Sequence, residues 1–201
     1  MPTHRFFWTI LPLLLCFVAV GCREKPTKEQ MLSSLSPDLR RKIEVGDSTP
    51  LVTNGVTVPN MVTAEKAEVA DEQEVIGIII EGSPRAYPLR QLSNLLEHVV
   101  NDHVLDSSGS PKAFAVTYCN LTGCIRVLES PVELGGKNLG VGTIGMIDGG
   151  LVLSHRKRQF KQEEQISTLR DLPYEVMTWK DWKQKNPSTL IYAGPAKSIR
   201  K

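Results

Sequence analysis

The sequence predicts a single α+β domain with a largely antiparallel sheet and a few short helices, carried behind an export signal. Three observations predict it. Apolar, β-branched runs of strand length recur between turn residues from Val75 onward. Helix-start signals at Pro88 and Thr178 lead into short amphipathic stretches only. No repeat at a fixed period points to a solenoid or propeller. The chain has 201 residues and a formal charge of +2. That length fits one ordinary domain plus an appendage. The near-neutral balance removes the simplest argument for a nucleic-acid binder, which needs a surplus of Lys and Arg on one face.

Residues 1–21 read as a signal peptide of the lipoprotein type. His4 and Arg5 precede an apolar run from Phe6 to Val20 that contains Pro12. At about 15 residues the run is short of the roughly 20 that a membrane-spanning helix needs. Ala19-Val20-Gly21-Cys22 resembles the bacterial lipobox, with Ala19 where Leu is more usual, so Cys22 is expected to become the first mature residue and to carry the acyl chains, ordinary secretory cleavage near Gly21 being the competing reading. Cleavage removes Arg5 and Cys16, which lowers the charge by one and leaves Cys119 and Cys124 as the thiols of the folded domain. The expected partner is a bacterial envelope membrane, reached through the N-terminal lipid, in a compartment where disulfides persist.

Residues 22–45 form a polar tether with two short helix signals, at Thr27-Lys28-Glu29-Gln30 and Ser36-Pro37. Neither stretch is long enough to be stable without packing, so a disordered spacer is the other reading. The globular domain is expected over 46–195, with a tail at 196–201. Thr53-Asn54-Gly55-Val56 has a hairpin signal, and Val75 to Ile80 reads as a strand buried on both faces. Pro88 opens a helix with Leu89, Leu92, Leu95 and Leu96 on one stripe, ending near Glu97 or His98. Strands follow at Val99 to Leu105 and Lys112 to Tyr118. Cys119 and Cys124 then flank a four-residue hairpin loop before a strand over Ile125 to Leu128. Leu139 to Met146 and Gly150 to Ser154 read as further strands. Thr178 caps a last helix containing Trp179 and Trp182, and Thr189 to Tyr192 is a final strand.

Several segments carry a family resemblance. Arg85-Ala86-Tyr87-Pro88-Leu89, His98-Val99-Val100-Asn101-Asp102, Val116-Thr117-Tyr118-Cys119-Asn120-Leu121 and Thr178-Trp179-Lys180-Asp181-Trp182 with Asn186-Pro187 occur in order. Their spacing resembles the bacterial envelope family known as the domain of unknown function 3179, over roughly Glu74 to Tyr192. The resemblance implies a shared fold and brings no reaction, ligand or cofactor with it. Against the family pattern, Glu97-His98 stands where a His-Glu order is common. An Asp and a Trp usual near Leu153 to Phe160 are missing, and Cys124 follows Cys119 at a wider gap than in some relatives.

The cysteine pair is the sharpest chemical feature. Paired across a hairpin, two cysteines fall within the separation that a disulfide accepts. Three readings are open: a structural staple, a reversible redox pair, and a zinc or copper(I) site completed by His98. Asp102 and Tyr118 are further candidate site residues. Asn101 and Asp102 read as turn or cap residues rather than as catalytic groups, and no catalytic residue is assigned. His155-Arg156-Lys157-Arg158 reads as a solvated hairpin end, and Trp179 and Trp182 as core anchors. The leading expectation is an envelope lipoprotein whose domain is a non-enzymatic binding or structural module with a Cys119–Cys124 disulfide. The alternative is a thiol-based redox or metal-handling protein using the same pair.

Overall fold

The computed structural model describes residues 52–94, 96–131, 136–147 and 149–196. The signal, Cys22, the tether helices, Leu95 and the last five residues lie outside them. In chain order the elements are β1 (Pro59–Thr63), a 3-10 turn (Ala64–Lys66), β2 (Glu74–Ile80), β3 (Ser83–Pro88) and α1 (Leu89–Leu92). Next come β4 (Val99–Leu105), β5 (Pro111–Cys119), β6 (Cys124–Glu129), β7 (Val141–Ile147), β8 (Gly150–His155) and β9 (Arg158–Lys161). The last are β10 (Arg170–Asp171), β11 (Glu175–Thr178), α2 (Trp179–Lys185) and β12 (Leu190–Pro195).

The α+β expectation is overturned. Three sheets make up the described fold, and its longest helix is the seven-residue α2. One sheet has the order β1-β12-β3-β2-β11, a second β10-β6-β5-β4 and a third β7-β8-β9. All pairings within them are antiparallel except β12 with β3. No helix among the described residues is long and apolar enough to cross a membrane.

The four-stranded sheet is the middle layer. One of its faces packs Val100, Phe114, Val116 and Val127 against Ile76, Ile78, Tyr87 and Tyr192 of the five-stranded sheet. Its other face packs Val99, Ala115 and Leu128 against Val141, Leu151, Leu153 and Phe160 of the three-stranded sheet. This double coverage explains why β5 reads as apolar at almost every position, since a strand between two sheets has no polar face. The outer face of the five-stranded sheet is covered by α2, whose Trp179 and Trp182 pack on Val75, Ala86 and Ile191. Thr178 caps that helix by accepting from the Asp181 N–H at 3.2 Å. Gly77 lies directly beneath it, where a Cβ would run into the Trp182 ring.

Three local expectations need correction. The helix opened by Pro88 stops at Leu92, not near Glu97, because side chains offer the next backbone groups other partners. The Ser93 hydroxyl donates to the Leu89 carbonyl, and the Leu96 N–H donates to the Asn94 side chain. Asn54-Gly55 does not make a hairpin either. Thr53 bridges to Thr143 on β7, whereas Val56 bridges in parallel to Val100 on β4, so the turn links two different sheets, with Gly55 at φ 66°. Finally, β2 is buried on both faces only where α2 covers it, and Ile79 is 53% exposed.

Candidate functional site

The middle sheet determines which candidate residues can meet. Side chains alternate faces along a strand. Phe114, Val116 and Tyr118 of β5 therefore point toward the five-stranded sheet, and Ala115, Thr117 and Cys119 point toward the three-stranded one. Register carries this division across neighbouring strands. Asp102 is opposite Phe114, Val100 is opposite Val116, and the Tyr118 N–H donates to the His98 carbonyl at 2.9 Å. Asp102, His98 and Tyr118 consequently share one face of the sheet. Cys119 and Cys124, opposite one another in register, share the other.

On the first face, two tyrosine–carboxylate pairs lie side by side. The Tyr87 hydroxyl donates to Asp102 Oδ2 at 2.7 Å, and the His103 N–H donates to Oδ1 at 2.7 Å. Arg85 Nε is 3.9 Å from the same carboxylate and has no hydrogen-bond partner. The Tyr192 hydroxyl donates to Glu97 Oε2 at 2.8 Å, and Gln91 and Asn94 also donate to Glu97. The two tyrosine rings are 6.1 Å apart. Burial, then the negative charge of Asp102, pushes the Tyr87 phenol well above its usual range. Burial and the bond to Glu97 do the same for Tyr192. Both phenols are therefore held as donors. His98 Nδ1 is 2.9 Å from the Leu92 carbonyl, and burial lowers its pKa below the ordinary value. Neutral His98 thus anchors the end of α1 by donating to that carbonyl.

On the second face, both cysteines are buried thiols among Val99, Ala115, Leu121, Leu139 and Ile166. The sheet itself separates them from His98, so the structure does not assemble the metal set of Cys119, Cys124 and His98. Among the described residues no group of three His, Cys, Asp or Glu side chains is placed to hold an ion. Asn101 and Asp102 are buried within β4 and are not turn or cap residues. Asn101 acts as a bridge between layers. Its amide donates to the Val141 carbonyl at 2.8 Å and accepts from the Val141 N–H at 3.0 Å, joining β4 to β7.

Sequence reasoning missed Glu97 and Tyr192 as a pair, and it missed Arg126 altogether. Arg126 makes a two-pronged bond to Asp171 at 2.7 and 2.9 Å and donates to the Gln162 and Glu164 carbonyls. Gln162 in turn donates to Thr117 and to the Cys124 carbonyl. One signal was available: an arginine inside the apolar strand Ile125-Arg126-Val127-Leu128 requires a buried partner. A surface cavity lies elsewhere, beside β12 and α1. It has a volume of about 620 Å³, and Lys66, Glu68, Gln73, Arg90, Gln91 and Tyr192 are among its lining residues. Gln91 and Tyr192 connect its wall to Glu97 beneath.

No curated protein and no solved structure matches this sequence. A family model described as a protein of unknown function, DUF3179, matches residues 47–201, which is most of the chain and takes in the Tyr87, Asp102 and Cys119 segments. The chain belongs to the DUF3179 family.

Proposed function

We propose that this protein is an envelope lipoprotein, held to a bacterial membrane by acyl chains on Cys22, whose β domain is a non-catalytic binding or structural module. The observation that carries the reading is the separation of chemistry across the middle sheet. The thiols lie on one face, the histidine and carboxylate on the other, and each carboxylate there is engaged by internal donors. Such groups brace the interface between layers, because a buried carboxylate is tolerated only when donors satisfy it. A ligand would instead enter the polar cavity beside α1, whose volume lies in the usual range for small-molecule sites. In the oxidising envelope, Cys119 and Cys124 close to a disulfide that staples the β5–β6 hairpin.

The second reading, redox or metal handling by the same thiols, draws on their direct register as two buried, unbridged thiols. One experiment separates the two. Protein extracted from envelope membranes without chelator is analysed by intact mass, by alkylation before and after reduction, and for bound metal. The expected result is an N-terminal peptide beginning at acylated Cys22, thiols that resist alkylation until reduced, and no stoichiometric metal. A stoichiometric metal that disappears in Cys119→Ser would overturn the structural role.

A further inference from the structure

The hairpin between β8 and β9 has a tip that its residues fit poorly. His155 pairs with Arg158, which leaves Arg156 and Lys157 as the two central residues. Both are in the left-handed region, at φ 50° and 68°. A two-residue turn with both φ positive is ordinarily built from Asn-Gly or Gly-Gly, because a Cβ is disfavoured in that conformation. Here the two positions hold a guanidinium and an ammonium group. Both side chains are exposed, and neither has an ion-pair partner among the described residues. Of the charged neighbours, Arg158 is bound to Glu164 at 3.1 Å, while Lys161 and Glu163 are exposed. Backbone strain of this kind concentrates where function requires a particular side chain.

A second observation concerns where the chain enters the fold. Thr53 exchanges two backbone hydrogen bonds with Thr143 of β7, each 2.9 Å, and Thr143 is opposite Leu153 on β8. The segment leading back to Cys22 therefore leaves from the same three-stranded sheet that carries the basic tip. About 30 residues separate Cys22 from Thr53, a reach of at most ~100 Å. On the far side of the molecule, α2 covers the five-stranded sheet.

We propose that the Arg156-Lys157 tip docks on anionic lipid headgroups of the membrane that holds the protein, turning the three-stranded sheet toward the bilayer and α2 away from it. The proposal rests on the membrane anchoring put forward above. Anchoring keeps the domain at high local concentration near the surface, so two cations suffice to bias its orientation. The attraction acts over about one Debye length, ~8–10 Å, and weakens with salt.

The test uses the full-length protein reconstituted in phosphatidylcholine vesicles with and without phosphatidylglycerol. Flotation is read first. Acetylation of Lys157 by a water-soluble reagent is then followed by peptide mass spectrometry, with exposed Lys180 on α2 as the internal reference. The expected result is flotation with both vesicle types and Lys157 acetylation slowed roughly tenfold relative to Lys180 in the anionic vesicles only, reversed by high salt. The double variant Arg156→Asn/Lys157→Gly, read at Lys161, loses the protection and melts several degrees higher because the strain is gone. Failure to float overturns the anchoring itself. Flotation with equal acetylation in both vesicles, or protection by soluble polyphosphate but not by vesicles, overturns the docking alone.

Discussion

Tyr87, Asp102 and His98 illustrate how single residues set the chemistry of an interface between sheets. Phe at position 87 would keep the edge-on contact with Phe114 and the tilted contact with Tyr192. It would remove one of the two hydrogen bonds that Asp102 receives. The titration of the buried histidines and tyrosines predicts the pH profile of stability. Burial lowers His98, and burial together with Arg156 lowers His155. A histidine depressed in the folded state binds its proton more readily when unfolded, so acid favours unfolding. Stability is thus predicted to hold above about pH 6.5 and to fall below it. The two raised tyrosines act at the other extreme. Their protons are held in the folded state after an unfolded phenol would lose them, so stability falls above about pH 10. Urea titrations across this range check both limbs, and NMR titration of His98 checks the assignment. A His98 pKa at or above the ordinary value would refute its share of the acid limb.

At the level of elements, the tightest constraint is the seat of α2 on β2. Gly77 faces the Trp182 ring with no room for a methyl group, and Trp182 is fixed by a hydrogen bond from Nε1 to Thr189 Oγ1 at 2.9 Å. Gly77→Ala is predicted to destabilise the domain by about 1–3 kcal/mol, because the helix must lift or the ring must leave its rotamer. Urea unfolding monitored by tryptophan fluorescence measures the shift, and a midpoint unchanged from wild type would show that the helix yields freely. Seven of the twelve described strands were legible in the sequence, since β2, β4, β5, β6, β7, β8 and β12 fall within a few residues of their periodicity-based positions. The length of α1 was not legible, because Ser93 and Asn94 compete for its backbone through side-chain bonds that a leucine stripe does not report. The faces were not legible either. Ala113 to Cys119 is apolar in both phases of the strand period, so only the register of β4 against β5 reveals that His98 and Cys119 point apart.

For the whole molecule, stability comes chiefly from two broad apolar interfaces, one on each face of the middle sheet. That arrangement limits what the cysteine pair can add. Closing Cys119 to Cys124 constrains a loop of four intervening residues, and such a short loop removes little freedom from the unfolded chain, about 2 kcal/mol in the loop-entropy account. Both positions are buried in the apolar cluster that the middle sheet shares with the three-stranded sheet, so reductant would reach the bond only after that interface opens. The oxidised protein is therefore predicted to exceed the reduced protein in unfolding free energy by about 2 kcal/mol, both remaining folded at room temperature. Paired denaturation curves with and without reductant measure the difference. Reduction of the native protein should proceed at the rate of local opening and be nearly independent of reductant concentration once reductant is abundant. A rate that keeps rising in proportion to reductant would mean that the thiols are open to solvent in the native state. The hairpin would then be accessible for thiol exchange, which the staple does not require.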